Sequence, residues 1–456
     1  MSRPRSFRPF LLPLVLAVAL RCGGDITVPA EGLPSRIEII SGDGQTGVAG
    51  GLLSDSLVVR ITDSKDRPVA DQPVEFAPVG ASAAQDLIPD TAMTSTDGRA
   101  WSRWVLGIRA GAVQVKARAL GRSPVEVTFS ATAQPGPPHA LSLIAGAGQT
   151  GVVGAMLDDS LLVRVVDQYN NPIQTQVVSW TAEDGGTVSD ATTSTDAAGR
   201  AGIRWQLGDQ AGMQTSHAMI ATLPSSTLDF TATALPAAAA AVEKVFGDNQ
   251  SAPVGGDLTD SLVIRVVDAF GNGVPGQSLS WVLLGSGSVN PGSSTTDANG
   301  EAFTRWSLGL TAGQQTLRAA VPGFPTVSFI AHAQALGPAT IAAVTATQLN
   351  GTAGQPVTPA PSVEVQDANG NPVSGVTVTF TVVSGGGEVA RGGNHGKSIS
   401  TSTDAAGRAQ VASWTLGPVA GSGTVEARAS GPSGPLAGSP VSFTAVGSPG
   451  NPNQLA

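Results

Sequence analysis

The side chains that most often carry chemistry are sparse in this sequence of 456 residues and form no recognisable catalytic set. The four histidines, at positions 139, 217, 332 and 395, are not equivalently spaced, and no cysteine stands near them, so neither a zinc site nor a Cys–His nucleophile is indicated. No Gly-x-Ser-x-Gly elbow follows a strand-like run. Asp158 and Asp159 precede a strand, where a solvated loop is favoured over a hydrolase pair. We predict a protein that is not an enzyme and binds no metal or cofactor.

The string DANGNP at 367–372 combines Asp, Asn and a Gly turn, as calcium-binding loops do. Such loops also need further oxygen ligands and a bidentate acid downstream, and none stands at that spacing. Asn-Gly supplies the positive-φ positions of a tight turn. A hairpin turn is therefore predicted here.

A Trp beside a cation recurs in the sequence and could be either a ligand platform or part of a core. RWSLGLTAG at 305–313 has close copies at 103–111, 204–212 and 413–421, the last with Ser413 in place of Arg. In AGIRWQLG, alternation places Ala201, Ile203 and Trp205 on one face of a strand. This parity favours a core, in which each Trp meets an aromatic from the middle of its repeat. The predicted core residues are Trp104, Trp205, Trp306 and Trp414, with Phe76, Trp180, Trp281 and Phe380.

One segment gathers cations in an otherwise acidic chain. Between Phe380 and Trp414 there are 34 positions, against 25 in the two preceding repeats, and the excess lies in SGGGEVARGGNHGKSIS at 384–400. We predict a Gly-rich loop there and name Arg391, His395 and Lys397 as a candidate contact site. The alternative is a tolerated insertion without a role.

The elements that must position these residues come from an internal repeat. The repeated Trp residues are spaced by 101, 101 and 108 positions, and Asp63, Asp167, Asp268 and Asp367 follow a similar period. A repeat of about 100 residues is long enough to be a domain in its own right. Runs such as GVTVTFTVV alternate apolar and polar residues, and turn signals recur every 8 to 12 residues, which is typical of immunoglobulin-like sandwiches.

We therefore predict an all-β fold of four tandem immunoglobulin-like antiparallel β-sandwiches in an elongated array. The predicted limits are 1–21 for a signal peptide, 22–34 for a tether, 35–134, 139–234, 241–334 and 340–446 for units 1 to 4, and 447–456 for a polar tail. The short linkers contain Pro in most cases, which makes them stiffer than a Gly/Ser tether.

The first residues have the layout of an export signal. Basic residues precede an apolar run, and the chain's one cysteine, Cys22, follows it directly, as the lipid-modified cysteine of bacterial lipoproteins does. Arg21 departs from the small residue that this pattern prefers, so a simple secreted chain is the alternative. Without the first 21 residues the chain has 21 basic and 34 acidic residues, a formal charge of −13, which argues against nucleic acid and anionic membrane surfaces.

The segment VEVQDANGNPVSGVTVTFTVVSGGGEV at 363–389, followed by TSTDAAGRAQV, GTVEARA and VSFTA, resembles the bacterial immunoglobulin-like domain of group 1. This domain is repeated in the stalks of invasin and intimin adhesins, and the resemblance covers nearly all of 36–446. Unit 1 departs most, since DSKDRPVADQPVEF lacks the Gly-Asn turn. The motif is specific for the fold and says little about a ligand.

The resemblance implies an exported cell-envelope or cell-surface protein that acts as a spacer, adhesion or protein-interaction stalk. We expect a protein or glycan partner of unknown identity, no nucleic acid, and membrane attachment only through the N-terminal lipid at the outer membrane or cell surface. A carbohydrate-binding accessory protein is the alternative, and an exposed coplanar row of Trp would favour it.

Overall fold

The computed structural model describes residues 32–80, 85–122 and 124–450. Every regular element in these ranges is a β-strand. None of the described residues belongs to a helix of the length and apolarity needed to cross a membrane. Cys22, the predicted signal peptide and most of the predicted tether lie outside the described residues, as does the tail from residue 451 onward.

The strands repeat with the period of the sequence. Unit 1 contains β1 Arg36–Ser41, β2 Gln45–Val48, β3 Leu57–Thr62, β4 Pro73–Pro78, β5 Asp86–Ile88, β6 Thr91–Met93, β7 Arg99–Val105, β8 Gly111–Ala119 and β9 Glu126–Gln134. Unit 2 contains β10 Ala140–Ala145, β11 Gln149–Val152, β12 Leu161–Val166, β13 Val177–Ala182, β14 Thr187–Val188, β15 Thr192–Ser194, β16 Arg200–Ile203, β17 Trp205–Gln206, β18 Gly212–Met219 and β19 Leu228–Leu235.

Units 3 and 4 follow the same order. Unit 3 contains β20 Ala239–Phe246, β21 Gln250–Pro253, β22 Leu262–Asp268, β23 Ser278–Leu284, β24 Gly287–Asn290, β25 Ser293–Thr295, β26 Glu301–Leu308, β27 Gly313–Ala320 and β28 Val327–Gln334. Unit 4 contains β29 Thr340–Ala343, β30 Gln348–Thr352, β31 Ser362–Gln366, β32 Thr377–Ser384, β33 Glu388–Arg391, β34 Asn394–Gly396, β35 Ser398–Ser402, β36 Arg408–Gln410, β37 Ser413–Thr415, β38 Gly421–Arg428, β39 Ser430–Gly431, β40 Gly434–Pro435 and β41 Val441–Ser448. Strands β20 and β41 extend two residues past the predicted unit limits, because alanine and glycine there pair with neighbouring strands.

Each unit is a sandwich of two sheets. Unit 1 has one sheet in the order β1-β3-β7-β5 and a second in the order β2-β9-β8-β4-β6. Unit 3 repeats these orders as β20-β22-β26-β24 and β21-β28-β27-β23-β25. Units 2 and 4 have the same five-stranded sheet, while their first sheet is divided into shorter pieces. The protein is thus all-β and immunoglobulin-like in its strand order.

The strands pair antiparallel apart from one parallel pair of strands in each unit, and unit 4 has one further parallel bridge, between Thr340 and Ala437. The first strand of a unit lies in one sheet, and the chain then crosses so that the second strand runs beside the last strand of the other sheet. In unit 1 these are β2 and β9, where Gln45 is opposite Ala131 and Val48 is opposite Gln134. Because of this pairing, the end of each unit is fastened to its own beginning just before the linker starts.

The buried apolar residues of the described chain fall into four clusters, one in each unit. The repeated Trp side chains belong to these clusters, with 0% exposure for Trp104, Trp205 and Trp414 and 1% for Trp306. Phe76, Trp180, Trp281 and Phe380 are also buried. The close ring partner of Trp180 is Phe230 at 6.0 Å between centroids, and that of Trp281 is Phe329 at 6.1 Å. In units 2 and 3 the mid-unit aromatic therefore lies close to a Phe of the last strand, and it belongs to the same core cluster as the repeated Trp.

Strand β7 offers a direct test of core against surface, since it carries two Trp residues of opposite parity. Trp104 is fully buried and donates its indole N–H to Gln85 at 3.0 Å, whereas Trp101 is 52% exposed. We expect Trp104→Ala to lower the free energy of unfolding of unit 1 by about 3–5 kcal/mol, because a large buried ring is lost. The matched control Trp101→Ala should change it by less than about 0.5 kcal/mol.

Hydrogen exchange of the β8 amides in a urea series would measure unit 1 separately from the other units. Similar losses for the two variants would contradict the assignment of Trp104 to the core.

Candidate functional site: the junctions between units

A tight turn after the second long strand of units 2, 3 and 4 is organised by one buried carboxylate. In unit 2, Asp167 is 2% exposed, and its Oδ1 accepts hydrogen bonds from the backbone N–H groups of Tyr169 and Asn171, both at 2.8 Å. Its Oδ2 accepts from Asn171 Nδ2 at 2.8 Å. We call the segments 167–171, 268–272 and 367–371 the docking turns. Asp and Asn suit such turns because their short side chains bond to the backbone two to four residues away.

The docking turn of unit 2 also reaches into unit 1. Asn171 Nδ2 donates to the carbonyl of Ile108 at 2.8 Å, and Asn171 Oδ1 accepts from the backbone N–H of Ala110 at 2.8 Å. A third bond runs from the linker, where the N–H of Gly136 donates to Asp167 Oδ2 at 2.9 Å. The side-chain amide of Asn171 thus bonds to two backbone groups of one loop in the preceding unit. Asp167, in the same turn, bonds to the linker.

The same three bonds recur at the next two junctions. Asn272 donates to Asp209 O at 2.7 Å and accepts from Ala211 N at 2.8 Å. Asn371 donates to Leu310 O at 2.9 Å and accepts from Ala312 N at 2.8 Å. The linker bonds are those from Ala237 to Asp268 and from Leu336 to Asp367, both 2.9 Å. We call 107–111, 208–212, 309–313 and 417–421 the receiving loops.

Close packing accompanies these bonds at the first two junctions. A Cβ placed on Gly50 would lie 2.8 Å from the hydroxyl of Tyr169, so the ring of the docking turn lies directly against the backbone of unit 1. Phe270 occupies the equivalent place against Gly154 at the next junction. Gly50 has a φ of 77°, a region in which a side chain would be strained as well as obstructed. The absence of a side chain in the earlier unit therefore makes room for the aromatic ring of the later one.

Unit 1 carries a different turn at the equivalent place. Asp63 accepts backbone N–H bonds from Lys65 and Arg67, as its counterparts do, but Arg67 replaces the Asn. The Arg67 guanidinium donates to Asp63 Oδ2 at 2.8 Å from Nε and 2.7 Å from its terminal nitrogen. Because a guanidinium has no acceptor, this turn cannot accept the backbone N–H that the Asn side chains accept in the other units.

The docking carboxylates are held in the ionised form. Burial opposes the charge of Asp167, but the hydrogen bonds from the Asn171 side chain, from the Gly136 N–H and from the turn's own N–H groups outweigh it and hold the pKa of Asp167 below its usual range. The pKa values of Asp268 and Asp367 are lowered against burial in the same way, by the Asn272 and Asn371 side chains and the equivalent N–H donors. The junctions therefore depend on charge-assisted bonds, which are stronger than neutral ones.

The DANGNP string forms such a turn rather than a cation site. Both oxygens of Asp367 face N–H donors, namely Asn369 and Asn371 on Oδ1 and Leu336 on Oδ2. Among the described residues, no group of three or more His, Cys, Asp or Glu side chains is placed to hold a metal ion.

The predicted contact loop of unit 4 is instead an ordered β-hairpin. Strands β33 and β34 pair across Gly392 and Gly393, whose φ values of 55° and 82° allow a two-residue turn of the type that joins adjacent strands. The sequence prediction of a loop was wrong because the glycines were taken as flexible rather than as turn-forming. Strand β33 also pairs with β37, which carries Trp414.

Arg391, His395 and Lys397 have partners within unit 4. Arg391 donates to the carbonyl of Gln410, His395 Nδ1 lies 3.0 Å from Glu388 Oε2, and Lys397 donates to the carbonyl of Gly387 at 2.6 Å. The register of the hairpin places Arg391 on the same face as Val389 and His395 on the opposite face, beside Ala390, and Lys397 directly follows β34. Their role as a contact site stays a prediction.

The junction residues Asn171, Asn272 and Asn371 were missed from the sequence. The sequence did contain a signal. Each of these Asn residues lies four positions after the repeated Asp of its unit, whereas unit 1 has Arg67 at that position. The pattern was interpreted as turn formation within a unit, and nothing in one unit's sequence indicates that the amide is shared with the unit before it.

Sequence comparison finds no matching family model and no significantly similar curated protein. The solved structures that match this chain include the following three. The Escherichia coli adhesin FdeC is 20% identical, with 65% of this chain and 96% of that chain covered and a TM-score of 0.41. Invasin, a bacterial integrin-binding protein, is 14% identical over 90% of this chain and 79% of its own, with a TM-score of 0.37. InvD of Yersinia pseudotuberculosis is 16% identical, and the match covers 68% of this chain and 98% of InvD, with a TM-score of 0.40.

Loss of the shared amide should loosen one junction and leave the units folded. We expect Asn171→Ala to widen the distribution of angles between units 1 and 2, because both bonds to the receiving loop of unit 1 are lost. The free energy of unfolding of unit 2 should fall by about 1–2 kcal/mol, since Asp167 also loses one donor. The control Gln174→Ala changes an exposed side chain next to the same turn.

Residual dipolar couplings of the two units would measure their relative order. Equal order in Asn171→Ala, Gln174→Ala and the unchanged protein would show that the amide does not fix the junction.

The junctions should also show a defined pH dependence. An Asp with a folded pKa below its unfolded value of about 3.9 contributes stability that is present above that value and is lost as the pH falls through the folded pKa. We therefore expect the junctions to be unchanged from pH 7 to about 4 and to weaken only below. Carboxyl ¹³C titration of Asp167, Asp268 and Asp367 would give the midpoints, and a midpoint above about 4 for any of them would contradict this.

Proposed function

We propose that this protein is an exported stalk of the cell envelope, built from four immunoglobulin-like domains of the bacterial group 1 type. Its work is to hold a surface or a partner at a fixed distance, as a spacer, adhesion or protein-interaction module. The domains correspond to 35–134, 139–234, 241–334 and 340–446. FdeC and invasin, which are similar in fold, are described as an adhesin and an integrin-binding protein, and this is in keeping with the proposal.

The single observation that carries the proposal is the repeated junction. A flexible string of binding domains needs no bond between neighbours, and Gly/Ser linkers would serve it. Here, at each of three junctions, a buried Asp bonds to the linker and an Asn side chain bonds to the unit before it. Such residues contribute little to a ligand site but give an array a set direction, which is what a stalk requires.

A sugar-binding platform made of the repeated Trp residues finds no support in this arrangement. Of the seven Trp residues, all within the described chain, Trp101 alone is exposed, and Trp104, Trp205, Trp306 and Trp414 have at most 1% exposure. The residue equivalent to Trp101 is Gly202 in unit 2, so no row of Trp runs across neighbouring units.

The N-terminal segment supplies the attachment in this proposal. Cys22 follows the apolar run of the signal peptide and becomes the lipid-bearing residue of the processed chain. A lipid chain binds a membrane because each buried methylene group contributes favourable free energy. A protein of formal charge −13 would gain no electrostatic attraction from anionic headgroups, so the lipid would supply the binding.

Protease treatment of intact cells tests both display and attachment. We expect proteinase K to remove the native protein from cells while a periplasmic marker survives, because the stalk projects outward. In Cys22→Ala the protein should appear in the medium, since its membrane attachment is lost. The control Ser35→Ala, at the start of unit 1, should stay with the cells.

Survival of the native chain on treated cells would contradict surface display. Equal release of the native and Cys22→Ala proteins would contradict the lipid anchor and favour the simple secreted chain.

A further inference from the structure

The junction between units 2 and 3 differs from the other two in the residue that follows its Asn. In units 2 and 4 a proline follows the Asn of the docking turn, at positions 172 and 372, whereas Gly273 follows Asn272 in unit 3. A proline nitrogen carries no hydrogen and cannot attack the Asn side chain, but a glycine nitrogen can. Glycine also hinders this attack least, because it has no Cβ. The Asn that joins units 2 and 3 is therefore open to a reaction from which its two counterparts are excluded.

The backbone nitrogen of Gly273 is not engaged in the turn. The carbonyl before it, Asn272 O, accepts the N–H of Asp268 at 2.9 Å, but the N–H of Gly273 itself has no acceptor within the described residues. Glycine is required at this place by packing, because a Cβ on Gly273 would lie 1.9 Å from Asn299 O. The close approach of two turns thus leaves a reactive dipeptide at this junction.

Asn272 is also the most accessible of the three junction Asn residues. Asn171 and Asn371 are buried, with 7% and 6% exposure, whereas Asn272 is half-buried. An open cavity of about 650 Å³ is lined by Asn272 and Gly273 on the side of unit 3 and by Ala211 on the side of unit 2. Water can therefore reach the dipeptide.

We propose that Asn272 is a site of spontaneous deamidation and that its conversion irreversibly weakens the junction between units 2 and 3. In the first step the Gly273 nitrogen attacks Cγ of Asn272, the nitrogen's proton passes to Nδ2, and ammonia leaves as a succinimide ring closes. Water then opens the ring at either carbonyl and gives aspartate or isoaspartate at 272. The net change is the gain of water and the loss of ammonia. This inference is independent of export, lipid attachment and adhesion.

The products cannot make the hydrogen bonds of the amide. Asn272 Nδ2 donates to Asp209 O at 2.7 Å and to Asp268 Oδ2 at 2.9 Å, and a carboxylate has no proton to donate to either. An aspartate at 272 would also place its charge beside that of Asp268, where like charges repel. In isoaspartate the main chain runs through the former side chain, which lengthens the turn. Either product leaves Asp209 O without its donor from unit 3.

The intact junction slows the reaction. Both polar atoms of the Asn272 amide are bonded there, since Oδ1 accepts from Ala211 N–H at 2.8 Å. Cγ can turn toward the Gly273 nitrogen only when these bonds open. The rate should therefore follow the fraction of molecules in which this junction is open.

Three other Asn-Gly pairs occur in the chain, beginning at 299, 350 and 369. Asn299 and Asn369 stabilise their turns through backbone N–H groups, and Asn350 lies in the pairing of β30 with β41. Conversion of their side chains leaves the hydrogen bonds of the junctions in place. Asn272 is thus the position at which deamidation acts on the geometry of the array.

Mass spectrometry of the incubated full-length chain tests the site. The protein is kept at neutral and at mildly alkaline pH, and peptides with Asn171, Asn272 and Asn371 are analysed for aspartate and isoaspartate. We expect both products at Asn272, faster at the higher pH because the attacking nitrogen must lose its proton, and none at the other two positions. The matched variant Pro172→Gly creates the same dipeptide at the first junction and should make Asn171 convert.

Pairs of spin labels connect the reaction to the junction. In a Cys22→Ala background, Thr192→Cys with Ser293→Cys reports the junction of units 2 and 3, and Thr91→Cys with Thr192→Cys reports that of units 1 and 2. These sites are exposed and are the first residues of β15, β25 and β6. We expect the distances between units 2 and 3 to spread as Asn272 converts, while those between units 1 and 2 stay unchanged. The variant Asn272→Asp should show the broad distribution from the outset.

A further variant tests whether opening of the junction limits the rate. Phe270 lies against Gly154 of unit 2, and Phe270→Ala removes this contact while the backbone N–H of residue 270 still bonds to Asp268. Conversion of Asn272 should then be about fivefold faster, because the open form is more populated.

Three outcomes would count against the proposal. An unchanged rate in Phe270→Ala would overturn the control of the reaction by the junction. Equal conversion at Asn272 and Asn371 would overturn the assignment of the site. Distances between units 2 and 3 that do not change after conversion, or in Asn272→Asp, would overturn the effect on the junction.

Discussion

The arrangement of the whole array depends on a carboxylate that is buried where two units meet. Asp167, Asp268 and Asp367 each accept three backbone N–H bonds and one from an Asn side chain. A buried ion costs free energy unless its lone pairs are all used, and here the docking turn uses one oxygen fully and shares the other with the linker. The carboxylate is therefore satisfied only when the turn, the linker and the neighbouring Asn are all in place.

That requirement connects local folding to the geometry of the array. The Asp carboxylate bonds to the backbone of the turn and to the Asn side chain, and the same Asn amide bonds to a carbonyl and an N–H of the unit before it. Because the Asn side chain is already held within its own turn, it has little conformational freedom to lose when the units meet. The parallel pairing of the second and last strands of each unit serves the same end, because it holds the start of the linker against the sandwich.

The hydrophobic cores have a separate task. Each unit buries its own Trp and Phe residues between its sheets, and the four clusters do not merge. Apolar burial stabilises each unit, whereas polar bonds with defined directions set how the units are joined. Because of this division, variation on one unit's surface does not disturb the core of another.

The type of fold could be predicted from the sequence, since alternation along the strands and the recurrence of Trp depend on contacts within one unit that each repeat encodes. The burial of Trp205 was predicted from the alternation of residues along its strand, which places it on the same face as Ala201 and Ile203. The role of Asn171 and its counterparts became visible only in the tertiary structure. Their partners are backbone groups of a different unit, and any residue type can supply a backbone carbonyl, so the sequence does not identify these partners. The tertiary contacts also show that 388–396 is a hairpin, since β33 pairs with β34 across Gly392 and Gly393 and, on its other side, with the strand bearing Trp414.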